Sequence, residues 1–197
     1  MIVGAILTQN TAWKNVEKAV LRLKKENLLS VETMTKVSRG QLSTAIQSAG
    51  YFNLKASRLK NFLKFLSKED SGNLRKFLKQ PLRPLREKLL SINGIGPETA
   101  DSILLYAAKK PVFVVDAYTR RIFIRLGLLP QKTSYETIQN YFMKNLPLSR
   151  RLFNEYHALI VAHAKRICSK IPKCPDCPLK KDCQYAKFNI NLAVTRR

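Results

Sequence analysis

Acidic residues are scarce in this 197-residue sequence, which has 13 Asp and Glu against 36 Lys and Arg and a net charge of +23 at pH 7. No apolar run approaches the roughly 18 residues that a membrane-spanning helix needs, and the first residues lack the basic stretch of a signal peptide. Glycine and proline are also few, at 7 and 9 residues, while 45% of the chain is apolar. These scarcities argue against a membrane-spanning helix, a signal peptide in the first residues and a disordered basic tail, and they favour a folded, strongly cationic protein.

The positive charge is spread along the chain instead of being confined to a tail. Between Glu32 and Glu69 there is no acidic residue, although Lys and Arg recur throughout that stretch. A Lys-rich surface of the kind found in thermophile proteins would account for this pattern. A folded domain with so large a net charge more often binds a polyanion, and the most common polyanion is nucleic acid.

Apolar residues recur at helical spacing along most of the chain, as at Val16, Ala19, Val20 and Leu23. The one extended run, Val112–Val115, is short enough to be either a strand or a buried connector. The sequence therefore predicts an all-α protein in the form of a two-lobed helical bundle.

The two lobes are predicted over residues 1–130 and 131–197. The chain begins inside an apolar run with no cap before it, so we expect further residues upstream of Met1. Local signals also mark helix ends: Thr133 and Glu136 predict a capping box at the start of one helix, and Gly127 predicts the end of the preceding one.

Two helices in the middle of the chain are joined by a turn that contains Gly94, Ile95 and Gly96, and Pro97 follows at the first position of the second helix. Glycine permits positive φ in such a turn, and proline suits the first helical position. The free amides at the start of the second helix suit an anion such as a DNA phosphate, since the helix dipole lies behind them. Such a hairpin would position the protein on DNA without reading bases; a plain helical hairpin with a glycine turn is the alternative.

A single carboxylate, Asp116, lies between the apolar run Val112–Val115 and a helix that contains Arg120 and Arg121. Asp in that position is a common N-cap, and capping alone would explain it. The alternative is a catalytic carboxylate that faces bound DNA. A carboxylate beside a DNA sugar is useful where it meets developing positive charge, as in an oxocarbenium-like transition state at C1′, or where it orients a water.

All four cysteines lie near the C-terminus, in a loop over residues 168–183 with the spacing C-x5-C-x2-C-x5-C: Cys168, Cys174, Cys177 and Cys183. Disulfides are not expected in a chain without a secretory signal, so the pattern predicts a metal site. Zinc usually shows two C-x2-C pairs, whereas one such pair between two wider gaps favours a [4Fe–4S] cluster.

Together these features resemble the helix-hairpin-helix DNA glycosylases of the endonuclease III superfamily. The resemblance is carried by the hairpin Ile92–Ala100, the Asp in Val114–Ala117 and the four-cysteine loop at 168–183. Two further segments are similar to the family: Leu7–Thr11 resembles its wedge helix, and Gly50–Ala56 resembles a Gly/Asn/Lys-Ala loop. The resemblance covers residues 2 to about 185 and implies a base-excision repair enzyme, a hydrolase that flips a damaged base out of duplex DNA and cleaves its N-glycosidic bond.

The family also implies roles for individual residues. Asp116 would be the catalytic carboxylate, and Gln9 would fill the gap left by the flipped nucleotide, although a polar residue at a helix end is its simpler explanation. Lys55 and the hairpin residues Gly94, Ile95 and Gly96 would contact DNA, and the four cysteines would hold a [4Fe–4S] cluster. We expect a monomer that binds double-stranded DNA, not a membrane, and that lies in the cytoplasm with the chromosome if the organism is prokaryotic.

Glu98 is the main departure from the family pattern, because the bifunctional members carry a lysine nucleophile at this position. Without an amine there can be no Schiff base, so the resemblance implies a monofunctional enzyme that uses Asp116 and water. The first cysteine gap is also one residue shorter than in the best-known members. An alternative is an enzyme with lyase activity from another lysine, for which Lys55 is the candidate.

The substrate implied by this branch of the family is an alkylated purine such as 3-methyladenine. Trp13 would stack on the cationic base, with a gain of roughly 0.5–2 kcal/mol, although an ordinary packing role also explains it; Glu98 would lie at the same pocket. The alternative substrates are oxidised pyrimidines and mismatched thymine. The alternative classes of protein are a non-catalytic DNA-binding protein and a zinc-containing interaction protein. His157 and His163 are expected to be structural.

Overall fold

The computed structural model describes residues 1–188, and the α-helices in this range define an all-α fold, as predicted. No strand occurs within the described range, and residues 112–115 form a buried connector. Nor does any helix among these residues have the length and apolar character that a bilayer span requires. The helices are α1 (Ile2–Leu7), α2 (Trp13–Lys25), α3 (Val31–Lys36), α4 (Arg39–Ala45), α5 (Phe52–Asp70), α6 (Leu74–Lys79), α7 (Leu82–Leu90), α8 (Pro97–Ser102), α9 (Ala117–Leu126), α10 (Tyr135–Asn145) and α11 (Arg150–Arg166).

The chain divides into two compact units, the first over Met1–Lys110 and the second from Pro111 onward. The expected boundary after residue 130 lies 20 residues further along the chain, beyond α9 and the loop that follows it. The difference arises because α9 packs with the C-terminal helices: the ring of Phe123 lies 4.7 Å from that of Phe142. Asp116 therefore belongs to the second unit, together with the cysteine loop.

The first unit contains α1 to α8, and its core is built from apolar side chains that recur at helical spacing and are almost fully buried. The short helix α1 packs against α2, α5 and α8. The two helices of the central hairpin are joined by a partly buried ion pair, in which Arg86 on α7 donates to both carboxylate oxygens of Asp101 on α8, at 2.7 and 3.0 Å. A π-helical segment, Ile103–Ala107, continues α8.

The second unit has an aromatic core. Phe113 stacks on Phe142 with a centroid distance of 4.0 Å, and Phe153 and Tyr156 present their edges to the Phe113 ring. Two of these rings lie on α11, which packs against α9. This packing fixes the start of α9, where Asp116 lies, against the middle of α11.

Helix ends follow the local signals with one change of register. Gly127 ends α9 with φ of 86°, as predicted. The cap of α10 is Ser134, whose Oγ accepts from the Thr137 amide at 3.1 Å, and not Thr133. Thr133 instead donates its hydroxyl to the carbonyl of Pro130 in the preceding turn, at 2.6 Å. Its side chain therefore does not cap α10.

Candidate functional site

Asp116 is the N-cap of α9, and its two carboxylate oxygens have different partners. Oδ1 accepts from the amide of Thr119 at 2.7 Å and from the hydroxyl of the same residue at 2.9 Å. Oδ2 faces Nε2 of His157 on α11 at 3.4 Å. The side chain of Asp116 is 13% exposed, so the carboxylate is mostly buried but keeps some contact with solvent.

The ionisation of Asp116 is set by opposing effects. Burial by itself raises the pKa of this carboxyl, but the contact with His157 and the two hydrogen bonds from Thr119 outweigh it, and the net pKa is lowered. Asp116 is therefore a carboxylate at neutral pH. A carboxylate of lowered pKa is a weak base, so it is better suited to stabilising positive charge than to taking up a proton.

The position of His157 is the main feature of this site that sequence reasoning missed. His157 was expected to be a structural histidine, and it does lie on the buried side of α11, but the partner that it faces is Asp116. No motif or spacing in the sequence connects the two residues, because they are brought together only by the packing of α11 on α9.

The arginines next to Asp116 in the sequence turn away from it. Arg120 donates to the carbonyl of Thr133. Arg121 donates to the carbonyls of Ala164 and Cys168, at 3.2 and 2.9 Å. Both guanidinium groups thus tie α9 to later parts of the second unit.

The central hairpin of the first unit places its two glycines in different conformations. Gly94 has φ of +94°, a region that disfavours side chains, while Gly96 has φ of −91° and ψ of 178° and is the N-cap of α8. A Cβ on Gly96 would meet no atom within 4 Å. Ile95, between them, is buried, and its amide donates to the carbonyl of Ile92 at 3.0 Å, which anchors the turn.

Gln9 does not project freely in this structure. Its Nε2 donates to the carbonyl of Gly94 at 3.0 Å and to Oγ1 of Thr99 at 2.9 Å, and its Oε1 accepts from Arg58. These contacts tie the end of α1 to the hairpin. Insertion of Gln9 into DNA, as the resemblance implies, would require all three to break. The next residue, Asn10, is exposed at the tip of the loop.

Lys55, which was expected to contact DNA, is buried inside the first unit. Its side chain is 1% exposed, and Nζ donates to the carbonyls of Leu7 and Ala49, both at 2.8 Å, and to Oγ1 of Thr11 at 2.6 Å. Burial, with a smaller contribution from the positive charge of Arg58, lowers the pKa of Lys55. The expected direct contact with DNA is not compatible with this burial. Lys55 instead holds the loop after α1 against α5.

Trp13 and Glu98, the two residues expected at a base pocket, are both accessible. Trp13 begins α2 and is 51% exposed. The edge of its indole packs against Gly4 of α1, where a Cβ built on the glycine would lie 3.6 Å from the ring. Glu98 lies exposed in the first turn of α8, directly after Pro97. The indole therefore keeps about half of its surface for a ligand.

The cysteine loop is fastened to α9 by Arg125. This guanidinium donates to Sγ of Cys168 at 3.3 Å and to the carbonyls of Ser169 and Lys170 at 2.6 and 3.0 Å. In return, Sγ of Cys183 donates to the Arg125 carbonyl at 3.2 Å. Both ends of the loop thus meet at one residue of α9.

The four thiols suit an iron–sulfur cluster in number and in chemistry. Burial, followed by the negative charges of the Cys183, Cys177 and Cys168 thiolates, raises the pKa of Cys174. Within residues 1–188, no three acidic, histidine or cysteine side chains meet at metal-ligand geometry. The loop therefore carries four sulfur side chains of the type that an iron–sulfur cluster uses.

Comparison with known proteins agrees with this fold and these features. Residues 3–148 match the profile of the HhH-GPD superfamily of base excision DNA repair proteins. A candidate DNA repair glycosylase of Methanocaldococcus jannaschii is 51% identical over 185 residues, which cover 93% of this chain and 84% of that protein. Endonuclease III of Sulfolobus acidocaldarius is 32% identical, over 96% of this chain and 82% of the enzyme.

Solved structures give the same result. A complex of endonuclease III with DNA superposes with a TM-score of 0.83 at 23% identity, covering 96% of this chain and 84% of that one. The 3-methyladenine DNA glycosylase of H. pylori, bound to 1,N6-ethenoadenine, superposes with a TM-score of 0.75 at 28% identity, over 84% and 83% of the two chains. The chain belongs to the HhH-GPD superfamily. It is accordingly a base-excision repair DNA glycosylase, as the sequence features implied.

Proposed function

We propose that this protein is a monofunctional DNA glycosylase, which hydrolyses the N-glycosidic bond of a damaged base with Asp116 and a water molecule. The observation that carries the proposal is the state of the Asp116 carboxylate. It is ionised, held on Oδ1 by Thr119 and faced on Oδ2 by His157. A fixed negative charge of this kind suits a reaction in which positive charge develops at the reacting carbon.

The chemistry follows from that charge. As the bond from C1′ to the base nitrogen lengthens, its electron pair leaves with the base and the sugar becomes oxocarbenium-like. Asp116 stabilises this cation and orients the water that attacks C1′. Because the pKa of Asp116 is lowered, electrostatic stabilisation is its larger contribution. The water attacks after the cation has formed, and once its oxygen has bonded to C1′ it releases its extra proton to the solvent.

Two features support a monofunctional reaction without strand cleavage. A carboxylate, Glu98, occupies the position at which the resemblance expects the nucleophilic lysine. Lys55, the other candidate amine, is buried and donates to three oxygens, so it is not placed to form a Schiff base.

For the substrate, we propose an alkylated purine such as 3-methyladenine. The exposed half of the Trp13 indole offers a face for a cationic ring. The H. pylori relative, which is named for 3-methyladenine and was solved with an ethenoadenine base, is 28% identical. Glu98 would add a negative charge near a cationic base.

For DNA binding, we propose that the backbone at Gly94, Ile95 and Gly96 holds a phosphate, and that Gln9 leaves its contacts with the hairpin to fill the gap in the duplex. Gly96 supports the first point, since its open side leaves room for an oxygen to approach the amides of α8. The protein would act as a monomer on double-stranded DNA in the compartment that holds the chromosome.

We also propose that Cys168, Cys174, Cys177 and Cys183 hold a [4Fe–4S] cluster. When bound, the cluster would close the loop over residues 168–183 and present its lysines to phosphates. The contacts of Arg125 with Cys168, Ser169 and Lys170 hold the start of that loop in place.

The test is base release from duplexes that carry 3-methyladenine, thymine glycol, a G·T mismatch or uracil opposite guanine, with and without alkali before electrophoresis. We expect cleavage at one lesion only after alkali, with no product for Asp116→Asn and normal product for Glu155→Gln, an exposed charge change on α11. Strand cleavage without alkali, or trapping of the enzyme on DNA by borohydride, would contradict a monofunctional reaction. Full activity of Asp116→Asn would contradict the role of Asp116.

A further inference from the structure

His157 faces the proposed catalytic carboxylate across the contact between α11 and α9. Its side chain is 16% exposed, and its Nε2 lies 3.4 Å from Oδ2 of Asp116. The contact crosses from the middle of α11 to the residue before α9, two helices that pack together. We propose that His157 is a positioning residue, which keeps the Asp116 carboxylate ionised and oriented toward the sugar.

Helix capping does not explain this arrangement. Capping of α9 uses only Oδ1 of Asp116, which accepts both hydrogen bonds from Thr119. Other helices of the protein are capped by a neutral hydroxyl alone, as α10 is by Ser134 and α11 by Ser149. A carboxylate with a histidine at its second oxygen is therefore more than a cap needs, and Oδ2 is the oxygen left for chemistry.

The charged neighbours of Asp116 do not supply an alternative partner for Oδ2. Arg120 and Arg121 follow it on α9, but they donate to backbone carbonyls in other parts of the unit. From α11, the residue before His157 is Tyr156, which lies among the aromatic rings of the core. Within residues 1–188, His157 is the basic side chain that brings a nitrogen within 4 Å of the Asp116 carboxylate.

The contact also fixes the tautomer of the imidazole. Two lone pairs facing each other would repel, so Nε2 carries a hydrogen whether His157 is neutral or charged. A hydrogen on Nε2 faces Oδ2 across 3.4 Å, and its positive partial charge lowers the free energy of the ionised carboxylate relative to the protonated one. During base release, the same N–H keeps Asp116 from rotating while positive charge forms at C1′.

This inference rests on the proposed function of Asp116, and the experiment separates the two. His157→Phe and His157→Met remove the donor, and His157→Gln retains one. The full-length protein as purified is used throughout, with Asp116→Asn as the reference for lost catalysis and Glu155→Gln as the matched charge change on α11. For each variant, the single-turnover rate of base release is measured with the affinity for a duplex containing an abasic-site analogue.

A second readout does not depend on catalysis. In protein labelled with ¹³C at the aspartate carboxyls, the signal of Asp116 is the one that disappears in Asp116→Asn, and its titration gives the pKa directly. We expect the pKa of Asp116 to rise in His157→Phe and His157→Met and to stay lowered in His157→Gln. We expect the single-turnover rate to fall by about tenfold or more without the donor, as for partners that orient functional groups, with DNA affinity changed less than about twofold.

Each outcome decides the inference. A pKa of Asp116 and a base-release rate that are unchanged in both donor-free variants would overturn it, even where Asp116→Asn is inactive. Activity that persists in Asp116→Asn would instead overturn the proposed function. If neither donor-free variant folds, the ¹⁵N shifts of His157 in the wild-type protein decide the matter, because an unprotonated Nε2 would contradict the contact.

Discussion

The side chain of Arg58 occupies the space that a Cβ on Gly94 would need. A Cβ built on Gly94 would lie 2.3 Å from Cγ of Arg58, and the same arginine is held by Gln9. Two features thus favour glycine at position 94: its positive φ of 94°, and the close approach of the Arg58 side chain from α5. The turn of the hairpin, the end of α1 and α5 are joined at this one point.

Gly94→Ala is expected to destabilise the protein by about 2–4 kcal/mol, from left-handed backbone strain and from the overlap with Arg58. Gly72→Ala is the matched control, since Gly72 also has positive φ, at 78°, but a Cβ there meets nothing within 4 Å. It is expected to cost only about 1 kcal/mol. Urea unfolding of both variants measures the difference, and equal losses would show that the contact with Arg58 is not limiting.

Gly96→Ala is expected to leave stability nearly unchanged while it weakens DNA binding. Gly96 has ordinary extended backbone and open space at its Cβ position. Alanine is a poorer N-cap than glycine, which should lower the free energy of unfolding by about 0.5–1 kcal/mol. It also makes the unfolded chain less flexible, which should raise that free energy by a similar amount. Binding to undamaged duplex, measured by fluorescence anisotropy, should fall for Gly96→Ala. Unchanged affinity would argue against a phosphate at this turn.

Lys55→Met is expected to destabilise the protein by about 2–4 kcal/mol, because it removes three hydrogen bonds and leaves buried carbonyls without this donor. Lys64→Met, on the exposed side of the same helix α5, should change the free energy of unfolding by less than about 0.5 kcal/mol. Thermal and urea unfolding provide the comparison. Equal stability of the two variants would contradict the structural role of Lys55.

The lowered pKa of Asp116 predicts how stability depends on pH. Its carboxyl binds a proton less readily in the folded than in the unfolded state, where the pKa is about 3.9. The stabilisation is therefore present above that value and is lost as pH falls through the lower, folded pKa. Asp116→Asn keeps an acceptor for the Thr119 amide, so wild type should exceed it in stability near neutral pH, and the gap should close in acid. A gap that widens in acid would contradict the sign of the shift.

Arg125→Met is expected to loosen the start of the cysteine loop, since it removes the donors to the carbonyls of Ser169 and Lys170 and to the sulfur of Cys168. Amide hydrogen exchange at residues 168–170 should accelerate, and the iron content of the purified protein should fall. Lys165→Met, an exposed change at the end of α11, should alter neither. Unchanged exchange in Arg125→Met would show that the loop is held by other contacts.

Much of the fold and of the candidate site was predictable because its signals are local. Helical spacing of apolar residues predicts the all-α fold, Gly94 and Pro97 predict the hairpin, and the position of Asp116 before an apolar helix predicts its cap. Each of these depends on residues within a few positions of one another. The family resemblance rests on the same short segments, and the superfamily match over residues 3–148 confirms it.

The tertiary structure decided where each side chain is used. The sequence presents Lys55 as a cation for DNA and Gln9 as a free wedge, but packing of α1, α5 and the hairpin buries the first and ties down the second. It also decided that residues 111–130 belong with the C-terminal helices, through contacts such as that of Phe123 with Phe142.

The charge, the helices, the hairpin and the cysteine spacing were determined by the sequence alone, because they depend on composition and short-range pattern. The partner of Asp116 was decided only by the fold. His157 reaches it from another helix, and a contact between residues far apart in the chain depends on how two helices pack, for which a single sequence carries no local signal.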